Sequence, residues 1–120
     1  MKKRLLAVAV VAASALAAVS FALGGTTTLK LTAAKTKLAY NKKTLKAHAG
    51  KITIKMTNPS VVFQHDVAIK INGKVHKGKT VGHNGVSKLA LTLKPGTYTF
   101  YCTVPGHAAA GMKGKLIVTK

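Results

Sequence analysis

The chain has 120 residues, 20 Lys+Arg against a single acid, a formal charge of +19 and one cysteine. That length holds one domain, and 48% apolar content is too high for a disordered polycation. A lone cysteine excludes an internal disulfide framework, a four-thiolate zinc site and any two-cysteine copper or redox motif.

Lys2, Lys3 and Arg4 precede an uncharged, Ala- and Val-rich run from Leu5 to Leu23. A basic start, an apolar stretch and a small-x-small site such as Ser20-Phe21-Ala22 predict a secretory signal over residues 1–22. The alternative is an uncleaved membrane anchor. Either way the protein is expected to be exported, to a periplasm or to the extracellular or cell surface. A lipoprotein route needs a cysteine at the cleavage point, and the only cysteine is Cys102. Without Lys2, Lys3 and Arg4, seventeen of the twenty basic residues remain, all lysines, against Asp66, a net +16.

Residues 23–28 read as a Thr-rich linker and residues 29–120 as the domain. Helical periodicity is absent there, and alternation is frequent. Leu29 and Leu31, then Leu38 and Tyr40, suggest two strands. Ile52, Ile54 and Met56 share one face, and Asn58-Pro59 stops their run. Val67, Ile69 and Ile71 alternate up to Asn72-Gly73, a hairpin turn. Leu89, Leu91 and Leu93 lead to Pro95-Gly96. Tyr98, Phe100 and Cys102 share a face, as do Leu116 and Val118. About seven short strands between Gly, Pro and Asn turns predict an all-β, antiparallel Greek-key sandwich.

The chemistry lies in YCTVPGHAAAGMKG, residues 101–114, where Cys102, His107 and Met112 stand with four residues between each pair. Pro105, Gly106 and Gly111 make residues 103–111 a loop, so a strand–loop–strand unit presents a thiol, an imidazole and a thioether together. Singly, such residues are most often a small buried hydrophobe, a solvated histidine and a core methionine. Jointly, soft sulfur donors with imidazole favour copper, and two His, one Cys and a weak axial Met form a blue-copper site. His65, at the start of the strand around Val67, is the best source of the second imidazole.

The segments YTFYCTVPGHAAAGMKGKLIV and QHDVAI resemble those of cupredoxins, the plastocyanin/azurin superfamily, with ligand gaps similar to auracyanin-like members. The resemblance runs as a pattern from about Leu38 to Lys120 and is specific around His65 and from Pro95 to Val118. It implies an eight-stranded sandwich with one type 1 copper held near one end by His65, Cys102, His107 and Met112. It also implies that Asp66 ties the two ligand loops together through Thr103.

The expected function is single-electron transfer by a non-enzymatic carrier, with a copper carrier or storage protein as the alternative. Electrons are expected to pass at the edge of His107, within an apolar patch of Val104, Pro105 and Ala108–Ala110. The charge predicts redox partners with an acidic docking surface, with anionic membrane or cell-wall association as a rival explanation. Nucleic acid is not expected as a partner, since the domain has no Arg and few aromatics. A monomer is expected, with His48, His76 and His83 at the surface.

Overall fold

In the computed structural model, which describes residues 25–120, alternation along the chain becomes two faces of each strand. The strands are β1 (Thr26–Thr32), β2 (Thr44–His48), β3 (Gly50–Asn58), β4 (Ala68–Ile71), β5 (Lys74–Lys77), β6 (Gly85–Leu93), β7 (Gly96–Tyr101) and β8 (Lys113–Thr119). In β3, Ile52, Ile54 and Met56 are buried while Lys51, Lys55 and Thr57 face solvent. The signal or anchor expected over residues 1–22 lies outside the described residues. β1 begins at Thr26, so Thr26–Thr28 belong to the sheet and not to the expected linker. An edge strand is held by backbone pairing to one neighbour, here Lys51–Thr53, and needs no large apolar residues for that.

The strands form a three-stranded sheet, ordered β1-β3-β6, and a five-stranded sheet, ordered β2-β8-β7-β4-β5. Leu31, Ile52, Ile54, Met56 and Leu89 from the first sheet meet Leu45, Ile69, Phe100, Leu116 and Val118 from the second in one core. The sandwich expected from the sequence is present, but its sheets are mixed. β1 and β3 run parallel, as do β2 and β8, and the other pairs are antiparallel. The chain starts in the small sheet, crosses to the large one as β2 and returns as β3. Each crossing reverses direction, so strands on either side of a double crossing align.

The Asn72-Gly73 turn has φ of 50° and 82°, the double positive φ of a tight two-residue hairpin between β4 and β5. Leu38 and Tyr40 do not form a strand. Tyr40 makes an isolated bridge to Ala33 and turns its ring onto Phe100, with centroids 5.5 Å apart.

Candidate metal centre

Two loops at one end of the sandwich carry the chemistry. The first follows β3. Asn58 is fully buried, and its amide Nδ2 donates to the carbonyls of Phe63 and Val81, each at 2.9 Å. Its Oδ1 accepts from the Ser60 N–H, and Ser60 Oγ accepts from the N–H groups of Val62 and Phe63. Side-chain caps of this kind replace the ladder that Pro59 interrupts. They deliver His65, whose N–H and C=O both pair with Val81.

The second loop leaves β7 at Cys102 and closes on itself, because the Cys102 N–H donates to the Met112 carbonyl at 3.2 Å. Gly106 (φ 85°) completes the turn in which the His107 N–H donates to Val104. Gly111 (φ 112°) turns the chain once more, and the Met112 N–H returns to the His107 carbonyl. Met112 is fully buried, and its backbone is tied to both Cys102 and His107.

Across the two loops, Cys102 Sγ lies 3.9 Å from His65 Nδ1 and 3.6 Å from His107 Nδ1. Ligand atoms of all three residues lie within 4.8 Å of one another. Two bonds of about 2.0 and 2.3 Å meeting near 120° span about 3.8 Å between sulfur and nitrogen, so these gaps suit a trigonal metal ion. Two imidazoles, one thiolate and a nearby thioether match a single type 1 copper. Burial, followed by the neighbouring His107, pushes the His65 imidazole below its usual range and keeps it neutral, as a ligand must be. Burial pushes the Cys102 thiol up, opposed by the backbone N–H groups of Asp66 and Val104. Metal binding therefore has to release that proton.

Asp66 joins the two loops as the sequence reading expected. Its Oδ1 accepts from the Thr103 N–H at 2.7 Å, and its Oδ2 accepts from the hydroxyls of Thr103 and, at 2.8 Å, Thr80. Lys77 Nζ stands 3.5 Å away. Burial alone would raise this carboxyl, but the Thr103 and Thr80 hydrogen bonds and the Lys77 charge outweigh it and hold the pKa below the usual range. Tyr40 adds a further tie, its hydroxyl donating to the Asp66 carbonyl at 2.6 Å.

Three apolar contributors on the first loop escaped the sequence reading. Phe63 packs edge-on against His107 (centroids 5.8 Å) and tilted against His65 (6.0 Å). Val61 and Val62 are 78% and 66% exposed, which extends the apolar surface to the first loop. The signal was a Val-Val-Phe run between Pro-Ser and Gln, an apolar triplet inside an otherwise polar turn. Val104 and Ala108 are half-buried, and Pro105, Ala109 and Ala110 are exposed. His48 and His83 are exposed, whereas His76 is half-buried on β5.

A family model for copper-binding proteins of the plastocyanin/azurin family matches residues 27–119. The structure of dithionite-reduced auracyanin from Roseiflexus castenholzii superposes with a TM-score of 0.72 and 28% identity, covering 78% of this chain and 98% of that one. Auracyanin A of Chloroflexus aurantiacus, described as a "blue" copper protein, gives 0.71 and 26%, covering 79% and 100%. Auracyanin-B of the same organism is 64% identical over 28 residues, a match spanning 23% of this chain and only 12% of that protein. With a family match over nearly all the described residues and a buried donor set that suits copper, the chain belongs to the plastocyanin/azurin family of copper-binding proteins.

Proposed function

We propose that this protein is a small exported blue copper protein that carries single electrons between redox partners, with His65, Cys102, His107 and Met112 as the ligands of one ion. The observation that carries the reading is the approach of His65 Nδ1 to within 3.9 Å of Cys102 Sγ across 37 positions of chain. Bound copper supplies one-electron chemistry by alternating between Cu(II) and Cu(I). The protein's part is to keep the donors in place. Asp66 fixes the Cys102 loop, Asn58 fixes the His65 loop, and Phe63 packs against both imidazoles.

Of the four residues, His65 and Met112 are fully buried and Cys102 is 1% exposed, while His107 is 7% exposed. The rim of His107 is therefore the route for electrons. Exposed Val61, Val62, Pro105 and Ala109 lie on the two loops that carry the ligands, and an apolar contact there allows close approach. The net positive charge of the domain favours partners with an acidic docking face. No substrate is transformed in this role. Export rests on the basic-then-apolar leader.

Added Cu(II) should give an intense visible absorption band, which Cys102→Ser should abolish. A blue Cys102→Ser protein would refute the ligand assignment. A copper carrier would use the same donors but release the ion readily. Rapid loss of copper to a competing chelator, with slow redox cycling, would favour that second role over electron transfer.

A further inference from the structure

Asp66, the only acid of the chain, is buried among Thr103, Thr80 and Lys77. The seventeen lysines of the described residues thus face solvent with no exposed side-chain carboxylate among them. The two sheets distribute them differently. On the five-stranded sheet, register places each outward lysine opposite uncharged residues. Lys46 faces Ile117, Lys115 faces Thr44 and Thr99, Lys113 faces Tyr101, and Lys70 faces Val75.

On the three-stranded sheet, Lys30 pairs with Lys55, and Lys55 pairs with Lys88. All three are exposed, in one row across β1, β3 and β6. Neighbouring strands are about 4.8 Å apart, and like charges directly opposite oppose pairing. Among the described residues no acidic side chain faces this row, and an anionic surface would neutralise it. The rest of the face is mostly threonine, with Lys51, Ala90 and the exposed Val86, and a shallow hollow opens beside Thr26, Thr53 and Thr92.

We propose that this face docks on a membrane surface rich in anionic phospholipid headgroups. The charges are lysines, hydrated point charges that suit diffuse attraction to a headgroup layer better than bidentate recognition. No aromatic side chain stands on the outward positions of the face, so the stacking platform of a single-strand nucleic-acid binder is missing. The uncharged run Leu5–Leu23 leads directly into β1, an edge strand of this same sheet. A hold of that run on a bilayer would bring the Thr26–Lys51 end of this sheet near it, within reach of the lysine row. The ligand loops lie at the end of the sandwich beyond Asn58, so a face lying flat leaves the His107 rim free for a partner.

The test is co-sedimentation of the full chain with phosphatidylcholine vesicles, with and without phosphatidylglycerol. One variant combines Lys30→Gln, Lys55→Gln and Lys88→Gln. A second, of equal net charge, combines Lys46→Gln, Lys70→Gln and Lys115→Gln. At about fivefold per lysine, the first should lose on the order of a hundredfold in partition to anionic vesicles. The second should lose less than about tenfold, and binding to neutral vesicles, which reports the apolar run, should be the same in all three proteins. Equal losses in the two variants would overturn the proposal. So would an absence of preference for anionic vesicles, or tighter binding to soluble polyglycerol phosphate or DNA at matched phosphate. The inference is independent of the copper reading, since the substituted lysines lie outside the ligand loops and the absorption spectrum should not change.

Discussion

Asp66 concentrates in one side chain a role that most proteins spread over many acids. Its carboxyl is held below the usual range in the folded state, while an unfolded Asp titrates near 3.9. A lowered carboxylate contributes stability that is present above the unfolded value and lost as pH falls through the folded one. His65 adds a second, higher step. Its folded pKa is lowered, so the unfolded chain takes up a proton below about 6.5 that the buried ring refuses. Urea denaturation of the metal-free protein should therefore show stability declining below about pH 6.5 and again below about pH 4. Asp66→Asn should remove the lower step, keep the upper one and cost about 1.5–3 kcal/mol near neutral pH through the lost charged hydrogen bonds. An unchanged lower step in Asp66→Asn would mean that another group governs acid unfolding. The sequence made three of the four metal-site residues legible because Cys102, His107 and Met112 fall within eleven positions of one loop. His65 came only from needing a second imidazole and from the family resemblance. The role of Asn58 was invisible, since an Asn-Pro pair reads as a strand stop whichever groups its side chain caps.

At the scale of the strands, Gly114 shows how tightly β8 is held between β7 and the chain entering β2. It stands opposite Phe100, and a Cβ there would meet the Phe100 ring and come within 2.6 Å of the Lys43 carbonyl oxygen. Phe100 is fully buried and packs on Tyr40, so neither side can yield easily. Gly114→Ala should cost about 1–3 kcal/mol by overpacking, lowering Tm by on the order of 10 °C. Gly82→Ala is the control. Nothing lies within 4 Å of its added Cβ and its φ is not positive, so its Tm should stay nearly unchanged. A Gly114→Ala protein as stable as the Gly82→Ala control would show that the strands can part without cost. Alternation in the sequence revealed which face of each strand is buried, because that follows from residue type alone. It could not reveal neighbours, and so missed the parallel pairs. β2 was passed over because only Leu45 and Ala47 mark its inner face, and β5 because His76 is its most buried residue.

For the molecule as a whole, the charge is so one-sided that it should dominate encounters with small redox reagents. Seventeen lysines and one acid give the described residues a net +16, with the acid buried. The screening length falls from about 30 Å at 0.01 M salt to about 8 Å at 0.15 M. At low salt the field of most lysines reaches the His107 end, whichever face they occupy, and at higher salt only the nearest do. A multivalent anionic oxidant should therefore react fastest at low salt and slow at least tenfold, roughly, over that range. A cationic oxidant of similar driving force should show the opposite slope. Stopped-flow oxidation of the reduced protein separates this long-range effect from the contact made at the rim. Replacing exposed Val61 with Ser should slow a large protein partner that buries the apolar loop, yet leave the salt slope of the small anion unchanged, because no charge is altered. If both oxidants slowed with salt, attraction at the site would not follow the net charge, and bound counter-ions would have to cover most of the lysines.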